Sequence, residues 1–220
     1  MKSRELPIAA LFDFDGVIVD SFKVHFSAWE SAFRELFDEQ IVPFPKETHS
    51  GKSPLLISEY LCSQINKSDR TTDLFLLKDK YLTESKVAPD LLPGVNEIQQ
   101  LFANSEIPYG IASNATRGFV GNSIQQLNID FKMFLGFEDY EFPKPHPEAY
   151  ISLAEKLKIN ASDFHEVWVF EDSLTGTKAA HEAGMIPIGI LTQYSEIELK
   201  NAGSQLVFPT LLEAYQYLFK

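Results

Sequence analysis

Phe12-Asp13-Phe14-Asp15-Gly16-Val17-Ile18-Val19-Asp20-Ser21 follows directly on a short apolar run, Ile8–Phe12, that carboxylates stop abruptly. That run reads as a buried strand. Asp13 and Asp15 stand at i and i+2, so they point the same way if strand geometry continues past Phe12. Like charges that close repel, and their ionised forms need a cation or a shared proton. Gly16 allows a backbone turn that a β-carbon would resist. Taken alone, this segment reads equally well as a solvated Asp turn after a strand.

Outward from this segment, further apolar runs appear at Ile107–Ala112, Val167–Phe170, Ile186–Leu191 and Leu206–Phe208. Helical-period segments lie between them, at Val95–Phe102, Arg117–Leu127, Glu148–Leu157 and Thr175–Ala183. Strands alternating with amphipathic helices predict an α/β fold, a Rossmann-like doubly wound parallel sheet covered on both faces. Gly184 stands where a helix C′ glycine would, just before the next strand.

From Ser21 to about Val87 the alternation breaks, and the pattern is helical without a convincing strand. Phe22, Phe26, Trp29, Phe33 and Phe37 fall on one helical stripe, with Ser21 as its N-cap, and the stripe reads as core packing. Leu55–Ile65 and Asp73–Ser85 predict further helices. Pro89, Pro93 and Gly94 then return the chain to the α/β pattern. The expected organisation is a core of residues 1–20 and 90–220 with an inserted all-helical domain of residues 21–89. Its hinges fall near Val19–Phe22 and Ala88–Gly94.

The chain has 220 residues, 45% of them hydrophobic and 13% aromatic, which argues against disorder and for a full core without disulfide or metal staples. A net charge of −12 repels a phosphate backbone and disfavours nucleic acid as a partner. No run of eighteen or more apolar residues spans a membrane. Lys2 and Arg4 precede an apolar run too short for a signal peptide. The single Cys62 has no intramolecular disulfide partner, and cytoplasmic residence is expected.

Three more clusters sit at expected strand ends. Ser113 and Asn114 offer a hydroxyl and a polar turn into a helix, suited to an anion or to an ordinary N-cap. Lys144 lies between Pro143 and Pro145, either a placed cation or a surface lysine on a rigid loop. Glu171 and Asp172 end the Val167–Phe170 run with hard oxygen ligands suited to Mg²⁺, or with an acidic helix start. In open parallel sheets, ligands bind outside the carboxyl ends of the strands, where all four clusters converge.

The ordered set DFDGVIVDS, the SN of IASNATR, KPHPEAY and VFEDSLTGTKAAHEAGM resembles the haloacid dehalogenase-like superfamily, in its helical-cap branch of β-phosphoglucomutase-like proteins and sugar-phosphate phosphatases. Asp15 with Gly16 points away from the dehalogenases proper and toward phosphoryl transfer. The resemblance implies Asp13 as nucleophile, forming an aspartyl-phosphate, and Asp15 as acid and then base. It implies Mg²⁺ held by Asp13, the Asp15 backbone carbonyl and Asp172, with Glu171 a further candidate ligand. Lys144 would offset negative charge, while Ser113 and Asn114 would bind phosphate oxygens. His25 matches the start of the first cap helix in this group, and Lys52 belongs to a cap loop, His49–Pro54.

In the mutases that loop carries an arginine after its serine; here Pro54 stands at that position. Lys52 offers a point charge without the planar fork of arginine. Hydrolysis is therefore expected over phosphomutase chemistry. The implied partner is a small phosphorylated metabolite, and the implied state a monomer or weak homo-oligomer. A phospho-acceptor signalling domain also groups Asp residues, a hydroxyl and a Lys, but the Ser21–Val87 insertion counts against it. Phosphonatase chemistry would need a Schiff-base lysine in the cap, and no cap lysine is convincingly placed by sequence.

Overall fold

The computed structural model describes residues 6–41 and 52–218; His49, Ser50 and Gly51 of the expected cap loop lie outside them. The strand ending at the two aspartates is β1 (Ala9–Phe12), with all four side chains fully buried. Ala10 and Phe12 pack into one hydrophobic cluster, Ala9 and Leu11 into another, as the two-residue period of a strand requires. Apolar residues on both faces make β1 a central strand with helices above and below.

Its neighbours are β4 (Tyr109–Ala112) and β6 (Val167–Glu171). Outside them lie β5 (Phe134–Leu135), β7 (Ile186–Ile190) and β8 (Leu206–Phe208). The sheet runs β5-β4-β1-β6-β7-β8, and every described pairing in it is parallel. After β1 the chain builds one half of the sheet through β4 and β5, then crosses to β6 on the other side. That reversal beside β1 opens a crevice at the strand ends.

Helices α4 (Val95–Asn104), α5 (Arg117–Leu127) and α9 (Leu211–Leu218) contribute to the cluster around Phe12. On the opposite face are α6 (Glu148–Lys156) and α7 (Leu174–Glu182), and α8 (Glu196–Ala202) packs beside α7. The Phe12 ring stacks on Phe170 with centroids 4.8 Å apart. Gly184 follows α7 with φ +76°, as its helix-ending position anticipates.

The interruption after β1 is helical among its described residues: α1 (Phe22–Phe37), α2 (Pro54–Gln64) and α3 (Thr71–Glu84). These three share a core of their own that includes Trp29, Phe33, Ile57, Leu61 and Leu74. A two-stranded ribbon marks its base, where β2 (Val19–Asp20) pairs antiparallel with β3 (Asp90–Leu91). The aromatic stripe is buried only at Trp29 and Phe33, while Phe22 and Phe26 turn partly into the crevice. Ser21 stands at the N-cap of α1 without capping it; its hydroxyl goes to Asp15 instead. No helix among the described residues is long and apolar enough to cross a membrane.

Candidate active site

Register brings three of the four clusters together, and the Lys144 loop joins them through Asn114. Phe12 pairs with Ile111 on one side and Phe170 on the other, so the next residues of the three strands share one edge. The Asp13 N–H closes the ladder on the Phe170 carbonyl at 3.0 Å, which fixes its carboxylate at the mouth of the crevice. Ile18 and Val19 donate back to the Phe14 carbonyl at 2.9 and 3.1 Å, curling the chain into a tight loop. Gly16 in that loop has φ +86°, and a β-carbon there would sit 1.9 Å from Asp172 Oδ2. The glycine both permits the turn and admits Asp172 to the loop.

Beneath the edge lies a buried charge network. Lys144 Nζ donates to Asp13 Oδ1 at 2.6 Å and to Glu171 Oε1 at 2.8 Å. It also donates to the Tyr150 hydroxyl at 2.7 Å, which in turn donates to Glu171 Oε1 at 2.5 Å. Glu171 Oε2 accepts from the Ser173 N–H and hydroxyl at 3.1 and 2.9 Å. Glu171 is fully buried with both oxygens engaged. Close approach of α7 makes this possible, because a β-carbon at Gly176 would lie 1.7 Å from Glu171 Oε1.

Lys144 is held from its backbone too. Asn114 Oδ1 accepts from the Lys144 N–H at 3.2 Å and from the Tyr140 hydroxyl at 2.9 Å. The Asn114 amide donates to the Lys144 carbonyl at 3.4 Å. Asn114 thus grips the Lys144 loop while its neighbour Ser113 faces the carboxylates, with Oγ 3.5 Å from Asp15 Oδ2. The Ser113 hydroxyl accepts from the Ala115 N–H at 3.0 Å, which shapes the turn.

Asp15 is covered from the helical insertion. His25 Nε2 lies 3.4 Å from Asp15 Oδ1, and Lys78 Nζ lies 3.0 Å from His25 Nδ1. An ammonium only donates, so Nδ1 accepts and the neutral ring carries its proton on Nε2, toward Asp15. Lys78 is 1% exposed and stands over the Trp29 ring, 5.1 Å from its centroid. Lys52 is exposed at the rim of the same crevice, whose apolar wall includes Phe22, Phe26, Trp29 and Ile57.

These surroundings set the protonation states. Burial pushes the Asp13 carboxyl up to about 8, with Glu171 and Asp15 adding to the rise and Lys144 opposing it. Burial would raise Asp15 as well, but His25, the Ser21 hydroxyl and Lys78 together hold it below its ordinary value. Burial and the Lys78 charge lower His25, which keeps its ring neutral. Burial lowers Lys78 to about 8 despite Asp15 and Asp79. Burial opposes the charge on Lys144, yet Asp13 and Glu171 overcome it and raise its proton affinity.

One oxygen each from Asp13, Glu171 and Asp172 lie within 4.8 Å of one another. Hard, buried oxygen donors in this number suit a small divalent cation.

Every site residue expected from sequence and described in the structure lies at or beneath this crevice. Sequence reasoning missed Lys78, Tyr150 and Tyr140. For Lys78 the signal was present: Leu74, Lys78 and Leu82 are the buried residues of α3 at four-residue spacing, with a charge where an apolar residue belongs. Tyr150 sits on the buried face of α6, indistinguishable by periodicity from any core aromatic.

Residues 10–190 match the family model described as haloacid dehalogenase-like hydrolase. β-Phosphoglucomutase of Bacillus subtilis is 26% identical over 195 residues, covering 83% of this chain and 82% of that protein. The phosphorylated carbohydrates phosphatase of Thermotoga maritima is 25% identical over 205 residues, covering 90% of this chain and 89% of its own. Among solved structures, β-phosphoglucomutase from Clostridium difficile superposes with a TM-score of 0.79 at 23% identity, covering 97% of each chain. With both the helical insertion and the strand-end carboxylates in place, the chain belongs to the haloacid dehalogenase-like hydrolases, as an enzyme of their β-phosphoglucomutase-like, phosphoric monoester hydrolase branch.

Proposed function

We propose that this enzyme is a Mg²⁺-dependent phosphatase of a small sugar or polyol monophosphate, working through an aspartyl-phosphate on Asp13. The observation that carries the reading is Asp13 at the strand edge, 2.6 Å from the Lys144 ammonium, with Asp15 and Ser113 facing the same crevice. Core residues 1–20 and 90–220 and a cap of residues 21–89 are the two working parts.

A phosphoryl group in the crevice would be met by the Ser113 hydroxyl and neighbouring backbone N–H groups, with Lys144 offsetting its charge. Asp13 attacks phosphorus, forming a carboxylate oxygen–phosphorus bond as the ester oxygen leaves. Asp15 gives that oxygen a proton. Its lowered proton affinity rises when a phosphate adds like charge beside it. In the second half Asp15 takes a proton from water, whose oxygen attacks phosphorus and frees Asp13 and inorganic phosphate. Asp13, Asp172 and the Asp15 carbonyl would hold Mg²⁺, which supplies charge neutralisation at the transferring group. We assign Glu171 to anchoring Lys144, since both its oxygens already accept hydrogen bonds.

Hydrolysis is favoured over the mutase reaction by the crevice itself. Its described lining carries Lys52 and Lys78 as its cations and no arginine, and Pro54 takes up the first turn of α2. The test is phosphate release from sugar, polyol and glycolyl phosphates, with and without Mg²⁺, beside Asp13→Asn. Metal-dependent release lost in the variant supports the reading. Conversion of a hexose 1-phosphate to its 6-phosphate on adding a bisphosphate, with no release, would replace it by the mutase.

A further inference from the structure

Thr116 directly follows the Ser113–Ala115 turn and stands at the N-cap of α5 with extended backbone, φ −66° and ψ 145°. A threonine there ordinarily accepts from the helix's own first N–H groups. This one makes no such bond. Its hydroxyl instead donates across to α3 of the cap, to Asp79 Oδ1, at 2.6 Å. Thr116 is 2% exposed and Asp79 half-buried, so the bond is partly sheltered from water.

Asp79 gains from the position as well, since its carboxylate lies against the positive end of α5. It is also the residue after Lys78, and its charge supports protonation of both Lys78 and His25. The remaining side-chain bonds between α5 and the end of α3 are exposed: Asn122 to the Thr83 carbonyl and Gln126 to the Ser85 carbonyl, both at 3.2 Å. Their stabilisation is correspondingly small.

From this geometry we infer that the Thr116–Asp79 hydrogen bond is a latch, tying the cap to the turn that receives the phosphate and so seating Lys78 and His25 over Asp15. Asp79 and Thr116 are positioning residues, acting on the chemistry through Lys78 and His25. The inference rests on the phosphatase reading for its kinetic consequence and is independent of it for its structural one.

Spin labels on Glu59→Cys in the cap and Lys132→Cys in the core, both exposed positions, report the cap–core distance, with the fully buried Cys62 left in place. The unlatched variants are Thr116→Val and Asp79→Ala, and Thr116→Ser is the rescue. A narrow distance distribution is expected in the native chain and in Thr116→Ser. Both unlatched variants should add a broad, longer population, and combining them should add nothing more. In turnover, each should lower kcat about tenfold, the factor typical of one hydrogen bond to a charged group, with inhibition by inorganic phosphate changed less than twofold. An unchanged narrow distribution in either unlatched variant that folds overturns the latch. A native enzyme that releases phosphate from nothing would sink the phosphatase reading and leave the distance measurement to decide the latch.

Discussion

Lys78 and Lys144 are both buried ammonium groups, and their surroundings separate them. Lys144 lies between two carboxylates, and removing it leaves both buried without their partner. Lys144→Met should therefore cost about 3–5 kcal/mol of stability by denaturant titration, as well as abolish phosphate release. Lys78 is compensated only in part by Asp15 and Asp79, so burial leaves its value at about 8, below its ordinary 10.5. Between these values the unfolded chain binds more protons, so native stability rises with pH through that window, and the full cost is present below about 8. Lys78→Met should gain about 3 kcal/mol at pH 7, flatten the pH dependence between 8 and 10.5, and still lose activity. Equal stability of native and variant chains at pH 7 would contradict this account. The two lysines also mark how far the sequence could be read. Lys144 between its prolines read alone as a placed cation or a surface lysine and took its role from the resemblance; Lys78 is disclosed only once α3 is known to bury the stripe it interrupts.

At the scale of elements, the longer parallel strands and helices α4–α7 were legible from their buried apolar residues, whereas the short terminal helices α8 and α9 were not read. Elements built from too few residues for a period were not: β5 has two residues, and so do β2 and β3 of the hinge ribbon. Their existence depends on neighbours far along the chain, as Val19 opposite Leu91 illustrates. The Ser21 N-cap failed because the residue keeps φ −99° and ψ −1° and its hydroxyl is turned to donate to Asp15, where a cap would accept from the first N–H groups of the helix. Contact between α7 and β6 gives a sharp test. In Gly176→Ala the new methyl would fall 1.7 Å from Glu171 Oε1, so a loss of about 1–3 kcal/mol and a drop in activity through Lys144 are expected. Gly118→Ala on α5 meets only Thr83 Oγ1 at 3.5 Å and should be neutral or gain up to about 1 kcal/mol. Thermal melts of the two variants separate crowding from helix propensity.

The whole molecule places two bodies of different character around one crevice. The sheet edge supplies carboxylates set by strand register, joined by Lys144 from a loop that Asn114 holds; the helical insertion supplies His25, Lys78 and an aromatic wall. The first set could be read from motifs; in the second, His25 was expected only through the resemblance of the cap, and Lys78 was not expected, because its place depends on how the insertion packs over β1. Gathering acidic oxygens at the edge also predicts a linkage: millimolar Mg²⁺ should raise the melting temperature of the native chain, a chelator should reverse it, and Asp172→Asn should respond to neither. The central claim is that Asp13 carries the phosphoryl group. Rapid quench of the native enzyme turning over a sugar monophosphate with Mg²⁺, followed by peptide mapping, measures it directly. Label on Asp13, absent in Asp13→Asn, is the predicted result; label on another residue, or full turnover by Asp13→Asn, would contradict it.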